Sequence, residues 1–333
     1  EITQIKGDSE THPSLSPLDA FADFETFPFY LQRRATDYAA GEGDYIRAAL
    51  RRGLALEEEL GTNPYQFGLI GSTDAHTALA SAEEDNFHGK MAGDSVPETK
   101  NSHFADSETA PSGWDMSASG LAAVWATENT REAILAALRR REVYATSGPR
   151  ISVQFFAGYG LNETLLQSGE AYTLAMASSV PMGGELIGAV GEAPVFAVVA
   201  ARDPVGANLD RVQIVKGWVD ASGTTREKVF DVAWSGERKR DAVGALPPVG
   251  SSVDADSASY SNDIGAPELA AVWRDPEFDA GQRAFYYARV LQIPTPRHSL
   301  YDAVALRQAH IANHPAAIQE RAYTSPIWYS PSP

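Results

Sequence analysis

Two short stretches of the chain place a carboxylate and an imidazole two residues apart. Asp74 and His76 lie in Gly71-Ser72-Thr73-Asp74-Ala75-His76, and Glu10 and His12 lie in Lys6-Gly7-Asp8-Ser9-Glu10-Thr11-His12. Carboxylate oxygen and imidazole nitrogen are together the usual donors for Zn²⁺, Mn²⁺ or Fe²⁺. The apolar run at residues 67–70, flanked by glycines, reads as a buried strand, and residues 1–5 alternate like another. Each pair would then follow a strand tip, where α/β folds place catalytic groups. Asp74, His76, Glu10 and His12, converging on one face, would form a four-ligand set able to activate water. The plainer alternative makes Asp74 the cap of a helix starting at Ala75, His76 a surface residue, and Glu10 and His12 members of an unrelated polar loop.

Other residues could assist such chemistry. Lys90, in Asp85-Asn86-Phe87-His88-Gly89-Lys90, could bind an anionic substrate or neutralise a leaving group, a solvated lysine being the simpler alternative. Thr146-Ser147-Gly148-Pro149-Arg150 could form an anion nest with Arg150 as its clamp, or simply turn the chain between two domains. His88 and His103 read as solvated loop residues. Arg297 and His298 follow the rigid Pro294-Thr295-Pro296 turn, and the sequence leaves open where they point. No Gly-x-Ser-x-Gly elbow, Walker loop, dinucleotide fingerprint or His-Glu-x-x-His is present, and with no cysteine a thiol nucleophile is excluded.

The bulk properties narrow the class. At 333 residues the chain is long enough for two domains, and 44% hydrophobic with 21% charged residues is ordinary for a globular protein. With 27 Lys and Arg against 44 Asp and Glu the net charge is −17, which argues against nucleic-acid binding and gives no support for docking on an anionic membrane. A small anionic substrate stays compatible, because a bound cation inverts the local potential. The longest apolar run, residues 194–201, is far too short to span a bilayer. The absence of cysteine suits cytoplasm and periplasm alike. The chain opens at Glu1 in what reads as mid-strand, so we expect it to be the C-terminal part of a longer product.

The elements that must position these residues change character near Arg150. Residues 1–150 read as mixed α/β, with helices over 44–60 (Asp44 cap, Gly61 at C′) and 130–141 (Thr130 cap; Ile134, Leu135 and Leu138 on the apolar face). Residues 83–119 are aperiodic and long enough to be a lid or docking loop. Residues 151–333 carry β-branched and aromatic runs at 151–156, 195–200, 212–218, 228–234 and 285–293, with a hairpin turn at Asp220-Ala221-Ser222-Gly223. This half reads as a β-sandwich with a long surface excursion at 236–265. Its Trp218, Trp234 and Trp273 are candidates for stacking on sugars or, more simply, for core packing.

Several stretches together resemble the domain of unknown function 3604 family. They are Lys6-Gly7-Asp8-Ser9-Glu10, Gly71 to His76 as written above, Gly120-Leu121-Ala122-Ala123-Val124-Trp125-Ala126, Glu142-Val143-Tyr144-Ala145-Thr146-Ser147-Gly148-Pro149-Arg150, Pro181-Met182-Gly183-Gly184, Ile293-Pro294-Thr295-Pro296-Arg297 and Thr324-Ser325-Pro326-Ile327-Trp328-Tyr329. That family is similar to the polymerase-and-histidinol-phosphatase (PHP) superfamily of metal-dependent phosphoesterases. The likeness implies a distorted β/α barrel, of which residues 1–150 would be the C-terminal part, holding two or three Mn²⁺, Zn²⁺ or Fe ions and hydrolysing phosphate esters. By position, Asp74 and His76 match the superfamily's closing Asp-x-His ligand pair; Glu10 and His12 fall in a loop that contributes ligands, and Glu1 in a strand resembling its glutamate-bearing one. The superfamily's opening His-x-His is missing here, so the resemblance implies that the preceding portion of the same protein completes the site. It leans towards an exported, periplasmic or secreted protein, with the cytoplasm not excluded. The expectation is therefore a metal-dependent phosphoesterase with Lys90 or Arg150 as the anion-stabilising cation. Its alternatives are a metal-dependent lyase or amide hydrolase on the same site, and a non-catalytic carbohydrate- or ligand-binding protein on a degenerate barrel.

Overall fold

A computed structural model describes residues 1–29, 38–79, 81–103, 110–118, 120–166, 173, 177–189, 192–310 and 314–332. The chain opens with a tight antiparallel pair, β1 (Thr3–Gln4) and β2 (Gly7–Asp8), followed by helix α1 (Ile46–Leu60). After a long winding segment that includes α2 (Pro97–Lys100) come β3 (Leu121–Val124), α3 (Arg131–Arg140) and β4 (Val143–Thr146). The rest is nearly all strand: β5 (Ser152–Gly158), β6 (Val180–Pro181), β7 (Glu185–Ile187), β8 (Val195–Ala201), β9 (Leu209–Val219), β10 (Thr225–Trp234), β11 (Glu268–Arg274) and β12 (Ala284–Gln292). The chain closes with β13 (Thr295–Pro296), α4 (His298–Leu306), β14 (Ala317–Ile318), β15 (Arg321–Thr324) and β16 (Ile327–Ser330).

Two sheets dominate. The larger runs β10-β9-β12-β15-β4-β3, with β16 pairing β12 and β7, and the smaller runs β11-β8-β5-β6. Every strand pair is antiparallel except β16 with β7. The sheets meet face to face over a core in which Val153, Phe155, Phe196, Val198, Ile214, Tyr286 and Val290 are buried together. On the opposite side of the larger sheet, Leu50 and Leu54 of α1 pack with Ile2, Leu69, Phe285, Tyr287, Tyr323 and Trp328. The larger sheet is thus the middle layer of three.

The β/α barrel is overturned: the described residues form antiparallel sheets with four α-helices and no closed barrel. The reason is visible in two places. Strands β3 and β4 flank α3 but pair antiparallel, Leu121 opposite Thr146, whereas a barrel needs parallel strands joined by a crossover helix. Residues 67–70 form no strand. Only one parallel bridge, Thr3 with Gly71, remains of the expected pairing, and the Leu69 N–H donates to the Ser325 hydroxyl rather than to a neighbouring strand.

Several local expectations meet the structure directly. Thr130 caps α3 by accepting from the Ala133 N–H, and Gly61 ends α1 with φ 72°. In the 220–223 turn, Asp220 accepts from the Ser222 and Thr224 N–H groups. Asp44 does not cap α1; Tyr45 holds the cap position, and the Asp44 carboxylate accepts from the Gly41 N–H. Residues 236–265 carry no helix or strand, as their composition suggests. The chain passes from the larger sheet to the smaller at residues 147–151, so segments on both sides of Arg150 build the larger sheet. No helix among the described residues is long and apolar enough to cross a membrane.

Candidate functional site

Backbone hydrogen bonds fix the loop that carries Asp74. The Ile2 N–H donates to the Ile70 carbonyl at 2.8 Å and the Ser72 N–H to the Thr3 carbonyl at 3.1 Å, tying residues 70–72 alongside β1. The approach is close: a side chain at Gly71 would lie 2.8 Å from the Leu121 carbonyl, and one at Gly120 2.6 Å from that of Thr3. Beyond this, Asp74 adopts φ 48°, a left-handed conformation rarely used by a side-chain-bearing residue and common where function holds it.

Two ammonium groups converge on that residue. Lys6, in the turn between β1 and β2, pairs with Asp74 Oδ2. Lys90 Nζ donates to the same oxygen at 3.0 Å and to the Asp74 carbonyl at 2.8 Å. The backbone joins in, since the His76 N–H donates to the Lys90 carbonyl at 2.7 Å. His76 Nε2 stands 3.7 Å from Asp74 Oδ1, and its side chain is 52% exposed. The result is a constellation of one carboxylate, one imidazole and two ammoniums, in which the imidazole is the most exposed group and the lysines are largely buried.

Electrostatics follow from this packing. Partial burial pushes the Asp74 carboxyl up, but the hydrogen bonds and charges of Lys6 and Lys90 outweigh it and hold the group below the ordinary aspartate range. Desolvation, with repulsion from Lys6, lowers the Lys90 ammonium despite its bonds to Asp74. Lys90 is positioned by a turn in which Asp94 accepts from the Lys90 and Met91 N–H groups at 3.0 and 2.6 Å.

Glu10 and His12 lie elsewhere. Glu10 is 1% exposed, and its Oε1 accepts from Arg47 Nη2 and the Tyr287 hydroxyl, each at 2.5 Å. Its Oε2 accepts from Arg289 Nη1 at 2.9 Å, and both guanidiniums also donate to Asp19. Burial pushes Glu10 up, but Arg289 and Arg47 outweigh it and keep its carboxyl below the usual value. Glu10 therefore belongs to a buried charge knot beneath the larger sheet, with cationic donors on both of its oxygens. His12 Nδ1 accepts from the Ser14 N–H at 3.1 Å, and its ring packs against Tyr45.

The four expected ligands thus divide into a close Asp74–His76 pair and two residues engaged separately. Among the described residues, no group of three or more His, Asp or Glu could hold a metal ion. Asp74 Oδ2, moreover, already faces two cations. The residues present do not fit a divalent centre of their own. Arg150 is also apart: its guanidinium lies 3.8 Å from Glu83 with 70% of the side chain exposed, and its N–H donates to Asp203. Of the two expected cations, Lys90 is the one in contact with Asp74.

Sequence reasoning passed over Lys6, although it starts the Lys6-Gly7-Asp8-Ser9-Glu10 stretch. Gly7 was the signal, because its φ of 86° makes the turn that presents Lys6. Arg297 proves structural, with Nε and Nη2 on Glu25 and Nη1 and Nη2 donating to the Trp114 and Met116 carbonyls. Trp218, Trp234 and Trp273 are each half-buried. Trp273 packs on Phe196 and Phe230, Trp234 donates to the Arg238 carbonyl, and Lys216 Nζ sits 4.8 Å over Trp218.

No curated protein and no solved structure matches the chain. A family described as "Protein of unknown function (DUF3604)" matches over residues 1–331, and on that near-complete coverage the chain belongs to this family.

Proposed function

We propose that the chain is a hydrolase of phosphate esters acting at the Asp74–His76 surface, and that its family is similar to the PHP superfamily. One observation carries the reading: Lys6 and Lys90 converge on the carboxylate of a residue held at φ 48°, beside an exposed imidazole. Strained backbone and convergent charge together are more often found at functional sites than at structural ones.

In this reading the phosphoryl oxygens of the substrate compete with Asp74 Oδ2 for the two ammoniums, which then stabilise charge developing on phosphorus. The His76 nitrogen turned away from Asp74, Nδ1, accepts a proton from the attacking water, while Asp74 Oδ1, 3.7 Å from Nε2, stabilises the imidazolium that forms. The P–O bond to the leaving group breaks as the new P–O bond to water forms. The leaving oxygen recovers a proton from the imidazolium. Divalent ions, which the PHP likeness implies, would find only Asp74 and His76 adjacent here and would need further donors, so metal content is a separate question for elemental analysis of the purified protein.

The test is hydrolysis of p-nitrophenyl phosphate and a panel of sugar and nucleoside monophosphates. We expect Asp74→Asn and His76→Ala each to lower kcat/KM by about 10² to 10⁴ with folding intact. Wild-type protein inert towards the whole panel, or variants as active as wild type, would overturn the assignment.

A further inference from the structure

A second site lies away from Asp74. A cavity of about 330 Å³ opens at the junction of β3, β4 and the edge of the smaller sheet, with Trp125, Phe156, Pro181, Met182, Gln154 and Glu142 in its wall. That volume is at the lower end for small-molecule sites, enough for one ring and its substituents. Four separate segments of the chain supply the wall, the first just after β3, the second just before β4, the third in β5 and the fourth at β6.

The cavity is pre-built. The Trp125 Nε1–H donates to the Val153 carbonyl at 2.8 Å, and the indole stacks on Tyr144 at 6.3 Å with 24° between the rings. Both anchors fix the indole before any ligand arrives, so little ordering is lost on binding. The Trp125 N–H donates to the Glu142 carbonyl, and the Met182 N–H to that of Phe155, fastening the other walls.

The polar groups in this wall narrow the ligand. The Glu142 carboxylate is paired with Arg140, which donates to it from Nε at 2.7 Å and Nη2 at 3.0 Å, so the wall carries no unpaired charge to hold an anion. An organic cation therefore gains little there. Gln154 sits half-buried on β5, and no hydrogen bond to its amide is seen among the described residues. A purely apolar ligand would cover that amide and leave it unsatisfied, at a real free-energy cost. What remains is a neutral ring with an apolar face and hydroxyls around its edge. We propose that this cavity binds the ring of a neutral sugar, its C–H face against Trp125 and its hydroxyls bonded to Gln154, Thr127 and Glu142. This site stands independently of the hydrolase reading.

The experiment is saturation-transfer NMR and calorimetry on the full chain. The probes are methyl glycosides of glucose, mannose, galactose and N-acetylglucosamine, with tetramethylammonium and indole as controls. We expect saturable binding of at least one glycoside, with Kd on the order of 1 mM. Gln154→Leu, which keeps the packing volume, should weaken it about tenfold at unchanged melting temperature. Trp125→Ala should abolish it, and Trp125→Phe should retain part. Binding of no glycoside, glycoside binding indifferent to Gln154→Leu and Trp125→Phe, or a preference for either control over every sugar would each overturn the proposal.

Discussion

Glu10 takes hydrogen bonds from Arg47, Arg289 and Tyr287, so its negative charge is matched on both oxygens. Removing one partner of a buried ion pair leaves the others uncompensated, at a cost of about 3 to 5 kcal/mol. Glu10→Gln should therefore lower stability by about 3 kcal/mol in urea unfolding while leaving metal content unchanged. A large loss of bound metal at unchanged stability would instead make Glu10 a ligand. Asp8, close by, behaves oppositely. Burial, then repulsion from Glu10, pushes its carboxyl up to about 7, against the pull of Arg321 and the Tyr323 hydrogen bond. Its folded value thus exceeds the unfolded one of 3.8, so its contribution is full below about pH 4 and is lost as pH rises through about 7. Asp8→Asn should stabilise the protein more at pH 8 than at pH 4, measured by denaturant unfolding at both; equal effects would show that Asp8 does not ionise across that range. Glu10-x-His12 and Asp74-x-His76 have identical spacing, and only distant residues separate their fates. Arg289 reaches Glu10 across 279 positions, whereas Asp74 meets Lys90 only 16 positions on. Spacing alone could flag both pairs but could not rank them.

At the scale of single elements, the turn before Lys90 is tightly constrained. Gly89 has φ 68°, and a Cβ there would lie 2.2 Å from the Asp94 carbonyl oxygen. Gly89→Ala should displace Lys90 and lower kcat/KM at least about tenfold, more than it lowers melting behaviour. Activity unchanged in a folded Gly89→Ala protein would remove Lys90 from the site. The helices were legible because their signals are local, as the Thr130 cap and the Gly61 terminus show. Their environment was less so. Ile134, Leu135 and Leu138 suggested a buried face on α3, yet Leu135 and Leu138 are 45% and 46% exposed and Ala137 is the buried residue. The run at 67–70 has strand composition but finds its partners in Ser325 and in a single bridge to β1. A hydrophobic run declares that it is buried; it does not declare which neighbour satisfies its amides.

For the whole molecule, composition and strand count in the second half pointed to packed sheets, while the first half's α/β pattern suggested a barrel. The pattern of alternating helix and strand was real, but pairing direction is a tertiary property, and β3 and β4 pair antiparallel across α3. Because β4 pairs β15 and α1 packs on β9, the two halves share one central layer. Residues 151–333 expressed alone should lack a cooperative thermal transition and show poor amide dispersion by NMR. A sharp transition in that fragment would mean that its sheets stand without the first 150 residues. The charge knot has a consequence in time as well as in space. During synthesis Glu10 and Asp19 leave the ribosome long before Arg289, and at translation speeds of about 5 to 20 residues per second the wait is roughly 15 to 60 s. Through that interval Arg47 is the one guanidinium of the pair at hand for two carboxylates. The nascent protein should therefore hold its opening segment open and protease-sensitive until β12 emerges, closing late and all at once.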